Sequence, residues 1–145
     1  MTRSAANPTP IGLNAMNFTI AWLKKDRFHI VKTSGPMTGD GFIGMSKALL
    51  ADPHYKTNGH VVFDHRDLNF KNASIHDIEK IRRFHTQNEG RIGGGKSAMI
   101  FGPGCRIQWE RLFDQGEKIK TENITRLFES RKDGIEWINR PDNQR

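Results

Sequence analysis

One stretch limits what this chain can fold into more than any other: His60 to Phe84, HVVFDHRDLNFKNASIHDIEKIRRF. It opens with an apolar run, His60-Val61-Val62-Phe63, that stops at Asp64. It then passes through a polar connection into Ile75, Ile78, Ile81 and Phe84. A short unbroken apolar run reads as a strand buried on both faces. The three-residue recurrence reads as the core stripe of an amphipathic helix. The link lies at the carboxyl end of the strand and the amino end of the helix. Ligands and partners of open α/β sheets gather at that edge, because the first N–H groups of a helix have no partner within it.

The segments on either side repeat the theme. Residues 1–16 carry Pro8 and Pro10 without periodicity and read as a loose leader. Phe18, Ile20 and Trp22 alternate with polar or small residues, and Phe28 to Thr33 follows after the Lys24-Lys25-Asp26 turn, which makes an antiparallel hairpin. Thr38 is placed as an N-cap for a helix bearing Phe42, Met45 and Leu49, which ends near Asp52-Pro53. Ser74 and Asp77 have the spacing of a capping box, and Asn88-Glu89-Gly90 ends the helix they begin. Ala98 to Phe101 is a further buried strand. Gly102-Pro103-Gly104 then turns into a helix whose face is Cys105, Trp109, Leu112 and Phe113, closed by Gln115-Gly116. A last strand, Ile124 to Phe128, precedes a helix capped by Ser130 and bearing Ile135 and Ile138. The order β-β-α-β-α-β-α-β-α implies a mixed sheet: an opening antiparallel hairpin, then strands alternating with helices. One domain spans residues 17–140, and residues 141–145 form a tail.

Length and composition exclude several classes. The 145 residues suffice for one domain with its own core. No apolar run approaches the roughly 18–20 residues of a membrane span, and MTRSAANPTPIGLN lacks the apolar region of a secretory signal. A single cysteine excludes an internal disulfide framework and fits a reducing, cytoplasmic compartment. The formal charge of +7 raises the question of nucleic acid. The basic residues, however, fall in separated pairs with acids nearby, as at Lys24-Lys25, Arg82-Arg83 and Arg131-Lys132. A solvated basic surface accounts for them better than a nucleic-acid tail does.

Three features invite chemistry and fit a structural role better. Gly90 to Ser97 matches the phosphate-loop pattern GxxxxGK[ST] letter for letter, but it follows a helix and precedes a strand. The phosphate loop needs the reverse order, in which a helix N-terminus faces the phosphate. The six histidines lack metal-ligand spacing and read as surface and loop residues. Cys105 opens a helix, where a thiol pKa can fall, yet it also starts an apolar face and reads as a buried, inert thiol. No nucleophile triad or carboxylate pair stands out, so no catalytic residue, metal or cofactor is assigned.

The strand ending at Asp64, the link Asn72-Ala73-Ser74-Ile75 and the helix after it resemble the STAS domain of anti-sigma-factor antagonists, the SpoIIAA-like fold. So do the opening hairpin, Gly35-Pro36-Met37-Thr38 and Arg111-Leu112-Phe113-Asp114. The segments Ser97 to Phe113, Leu127-Phe128 and Ile135 to Ile138 also look like a divergent bacterial STAS-like group. The antagonists read Asp-Ser-Ser-Gly at the link, and a kinase phosphorylates the first serine. Here Asn72 stands for the acid, Ala73 for the acceptor, Ser74 for the second serine and Ile75 for the glycine. The resemblance thus implies the fold without the phosphorylation switch, and Ser74 is left as a helix cap.

What the resemblance implies is a non-enzymatic regulatory or interaction domain. A protein partner or a small ligand would meet it at Asp64, Arg66, Asn72, Ala73, Ser74, Gly102, Gly104 and Cys105. A dimer is compatible with this reading. Two alternatives stand beside it. A carrier of small ligands or lipids, similar in fold to the CRAL-TRIO domains, would show a deep apolar pocket. A nucleic-acid-binding domain would show one contiguous basic face with exposed aromatics.

Overall fold

Six strands lie side by side in the order of the sequence: β1 (Thr2–Arg3), β2 (Asn17–Leu23), β3 (Phe28–Pro36), β4 (Val61–Asn69), β5 (Lys96–Ile100) and β6 (Ile124–Phe128). The computed structural model describes residues 15–115 and 121–141, and the backbone of residues 2–3. Strands β1 to β3 are antiparallel, and β3 to β6 are parallel. Helices α1 (Gly39–Ala51), α2 (Ile75–Gln87), α3 (Glu89–Ile92), α4 (Pro103–Phe113) and α5 (Arg131–Ile138) complete the domain.

This order dictates the layering. Each parallel strand is added on the same side of the last, so right-handed crossovers carry α1, α2 and α4 to one face. The core on that face joins Phe42, Met45 and Leu49 of α1, Ile78 and Ile81 of α2, and Trp109 of α4 to Ile20, Val31, Val61 and Phe63 of the sheet. Helix α5 follows the last strand and covers the other face, where Trp137 and Ile138 pack on Phe28, Ile30, Val62, Ala98 and Ile100. Four of the helices' starts follow local rules. Thr38 Oγ1 accepts the Gly41 N–H at 2.9 Å, Ser130 Oγ accepts the Asp133 N–H at 3.2 Å, Pro103 sits in the first turn of α4, and Ser74 and Asp77 form the capping box of α2.

The structure corrects the sequence reading at four points. The central strand does not stop at Asp64 but runs nine residues to Asn69. Its carboxylate is neutralised inside the sheet by arginines, which is what a buried charge requires. Between Lys32 and Ser34 the register of β3 against β4 shifts, so that His65 and Arg66 stand opposite Thr33 alone. Second, Thr2–Arg3, within the expected leader, pair with Trp22 and Ala21 as an edge strand. Third, a short helix, α3, occupies part of the glycine-rich segment.

The fourth correction concerns histidines. His29 and His65, expected at the surface, are 1% and 0% exposed. His29 Nε2 lies 2.8 Å from the buried carboxylate of Asp52. His65 pairs through Nδ1 with Thr33 Oγ1 at 2.7 Å, amid the rings of Phe42, Phe63, Phe101 and Trp109. Burial pushes the His65 pKa down to about 3 against the pull of the neighbouring Asp64 charge, so the ring stays neutral at ordinary pH. Gly116 and most of the expected leader and tail lie outside the described residues.

Candidate functional site

The residues singled out in the sequence divide between the two faces of the sheet. Asp64 belongs to the α5 face. Its side chain is 1% exposed and receives Arg66 through Nε and Nη2 at 2.9 and 2.7 Å, and Arg131 through Nε at 2.8 Å. Burial would raise its pKa, but these hydrogen bonds outweigh burial and hold the carboxyl far below its usual range. Asp64 is therefore a fixed anion at the start of α5, where a negative charge also suits the helix dipole.

The other residues lie where β4 and β5 lead into α2 and α4. Asn72 is exposed in the turn, and Ala73 packs at the margin of the core. Ser74 caps α2: the Asp77 carboxylate accepts its N–H at 2.9 Å and its hydroxyl at 3.2 Å, and through its other oxygen the Gly39 N–H at 2.7 Å. Asp77 thus joins the starts of α1 and α2. Gly102 is the N-cap of α4, Gly104 lies exposed in its first turn, and the Cys105 thiol donates to the Leu68 carbonyl at 3.4 Å. Ser74 and Cys105 are thus engaged with the scaffold, and Asp64 and Arg66 with each other.

The glycine-rich loop is likewise a packing device. Gly93 has φ +73°, and a Cβ there or on Gly95 would collide with the turn at Asn58 and Gly59. Asn58 Oδ1 accepts the Gly94 N–H at 2.6 Å and locks the two turns together. Lys96, on the α5 face of β5, points to the end of α5. Its ammonium is fully buried and donates to the carbonyls of Trp137 at 3.1 Å and Arg140 at 2.9 Å. A cation there opposes the partial negative charge of the helix C-terminus.

A cavity of about 490 Å³ lies on the opposite face, beneath α2. Its floor is β4 to β6, through Val61, Phe63, Met99 and Leu127, and its walls come from Leu49 and Leu50 of α1, Ile81 and Phe84 of α2, and Trp109 and Phe113 of α4. The volume falls within the roughly 300–1,000 Å³ of small-molecule sites. None of the binding residues expected from the sequence (Asp64, Arg66, Asn72, Ala73, Ser74, Gly102, Gly104 and Cys105) lines it. The space exists because Ser46, Gly59, Ser97 and Thr125 stand where larger side chains would fill it. Inside, His85 Nε2 is buried with no hydrogen-bond partner among the described residues. Burial lowers the His85 pKa against the pull of Glu89, which leaves a neutral imidazole in a mainly apolar lining that also holds the buried Arg82 guanidinium, bonded to backbone carbonyls. One signal was legible: His85 follows Ile78 and Ile81 on the core stripe of α2, where an unpaired polar side chain needs a reason.

Among the described residues there is no group of His, Cys, Asp and Glu that could hold a metal, and no helix long and apolar enough to cross a membrane. No protein-family model matches the chain, and no curated protein matches it either. A solved structure does: an uncharacterized DUF3478-family protein with a SpoIIAA-like fold from Shewanella loihica PV-4. It is similar at a TM-score of 0.57 and 16% identity, over 90% of this chain and 99% of that one. At that identity the likeness is one of backbone architecture, and it agrees with the hairpin, the parallel strands and the helix layers derived above. The fold of this chain is SpoIIAA-like.

Proposed function

We propose that this chain is a non-enzymatic, STAS-like binding domain that holds a small, mainly apolar ligand in the cavity beneath α2. The observation that carries the reading is the cavity itself: about 490 Å³ of apolar space with one unpaired imidazole nitrogen inside. A well-packed core leaves few voids larger than a water molecule. Small side chains at Ser46, Ser97 and Thr125 retain this one, and the unpaired nitrogen of His85 gives an incoming hydroxyl or carbonyl a partner. The non-enzymatic part is supported by the side chains that looked most chemical: Asp64, His65, Lys96 and Cys105 are each engaged in a structural contact. Nucleic-acid binding is less well supported, since Ile107 is the one large apolar side chain exposed among the described residues and no Phe, Tyr or Trp ring is exposed there as a stacking platform.

The test is isothermal titration with decanol against the intact chain and Ser46→Phe, which places a ring in the cavity. Wild type should bind saturably at one site, and the variant, folded by circular dichroism, should bind at least about tenfold more weakly. Equal binding by both proteins, or none by wild type, would overturn the reading.

A further inference from the structure

The cavity has a neighbour. A groove of about 580 Å³ runs between α1 and α2, and Leu50 and Phe84 line both spaces. These two half-buried side chains stand where the mainly apolar cavity and the surface cleft meet. The cleft is cationic: Lys47 from α1, Lys80 and Arg83 from α2, and Arg91 from α3 line it, with no carboxylate among its lining residues. Lys80 shares a solvent-exposed ion pair with Asp40 at 3.1 Å. Arg91 donates to the Leu50 carbonyl at 2.7 Å, and its guanidinium lies 5.0 Å from the centre of the Tyr55 ring, which lines the cavity. Lys47 and Arg83 have no ion-pair partner among the described residues. The other end of the cavity is of mixed charge: Glu110, paired with Arg106 at 3.0 Å, and Asp114 stand in its exposed lining, and the buried Arg82 guanidinium donates there to the carbonyls of Phe113 and Gln115.

We infer that cavity and groove form one site for an amphiphile with a single apolar chain and an anionic head. The chain lies beneath α2, and the head rests in the cleft between Lys47 and Arg83. The inference rests on the cavity reading above and adds the ligand's charge and direction. An apolar chamber alone would accept a neutral chain either way round. Four cations beyond Leu50 and Phe84, against the mixed charges of Arg82, Glu110 and Asp114 at the opposite end, favour one orientation for a carboxylate or phosphate. Both cations tested below are exposed, so each contact is worth modest energy; two together amount to about tenfold in affinity.

Titration calorimetry at about pH 7.5 and low salt, with decanoate, decyl phosphate, decanol and decylammonium, tests this. The proteins are the intact chain and Lys47→Glu/Arg83→Glu, whose surface positions leave the core untouched. Wild type should bind the two anionic amphiphiles about tenfold more tightly than decanol, and decylammonium more weakly than decanol. The charge reversal should remove that preference and leave decanol within about twofold. A preference for decanoate alone, or for decyl phosphate alone, identifies the head as carboxylate or phosphate and supports the inference equally. If decanol binds while neither anion gains, or if the reversal weakens decanol as much as the anions, the inference fails and the cavity reading stands. If none of the four binds, both fail together.

Discussion

Lys96→Met should lower the unfolding free energy by about 1–2 kcal/mol without affecting any nucleotide interaction. The native ammonium is fully buried and makes two charged hydrogen bonds, to the carbonyls of Trp137 and Arg140, with its nitrogen 5.4 Å from the Trp137 ring centre. Such bonds are worth about 1.5–3 kcal/mol each, but burying the ammonium costs several kcal/mol in return. Methionine preserves most of the volume, so the packing loss stays below about 1.5 kcal/mol. What remains is a net loss of about 1 kcal/mol from the two charged bonds, since the Trp137 carbonyl still accepts the Arg140 N–H at 3.2 Å and the exposed end of α5 at Arg140 can be rehydrated. Urea unfolding measures the sum: with a slope of about 1.5 kcal/mol per molar, the midpoint should fall by about 1 M. Thermal melts with ATP and magnesium supply the control, and wild type should show no shift. A variant as stable as wild type, or a saturable ATP shift that the substitution abolishes, would refute the assignment of Lys96 as the anchor of α5.

Two further outcomes follow from the buried residues. Acid should destabilise the fold through His65: its folded pKa of about 3 lies below the unfolded value near 6.5, so the unfolded chain takes up the proton first and stability falls between those values as pH drops. From pH 6 to pH 4 this amounts to about 2.5 kcal/mol, and urea titrations at both pH values should show His65→Phe losing less by about that amount. The depressed carboxyls of Asp64 and Asp77 act lower, their contribution being present above the unfolded pKa near 3.9 and lost as pH falls through the folded values. Phe63→Ala, at the cavity floor and 8% exposed, should cost about 3–5 kcal/mol by the same assay, and a change within error would show that the floor is not packed.

The fold was legible because its signals are local and redundant. Val61 to Phe63, Ala98 to Phe101 and the Ile75-Ile78-Ile81-Phe84 stripe each need burial in one periodicity only, and caps at Thr38, Ser74 and Ser130 mark where the period changes. The end of β4 was not legible, because Asp64 reads as a terminator until Arg131, a residue far along the chain, is placed beside it. His29 and His65 were misread for the same reason. A histidine's burial depends on partners such as Asp52 and Thr33 that only the folded register supplies.

The site was less legible, and the α5 face shows why. A single eight-residue helix covers β4 to β6 there, against three longer helices on the other face. Two residues from the sheet hold its ends: Asp64 grips Arg131 at the start, and Lys96 grips the carbonyls of Trp137 and Arg140 at the finish. Each sign matches the helix dipole. These are also the two residues that imitate a nucleotide site in the sequence, an acid after an apolar strand and a lysine after a glycine run. Residue type and spacing cannot separate a charge that binds a ligand from one that docks a helix, since both need a positioned charge near a helix end. The cavity presents the converse problem. It is made by what Ser46, Gly59, Ser97 and Thr125 leave unfilled, and in one sequence a small residue on a core face looks like any tolerated substitution. Anchoring charges therefore look like function here, while the feature best suited to hold a ligand is written as missing volume.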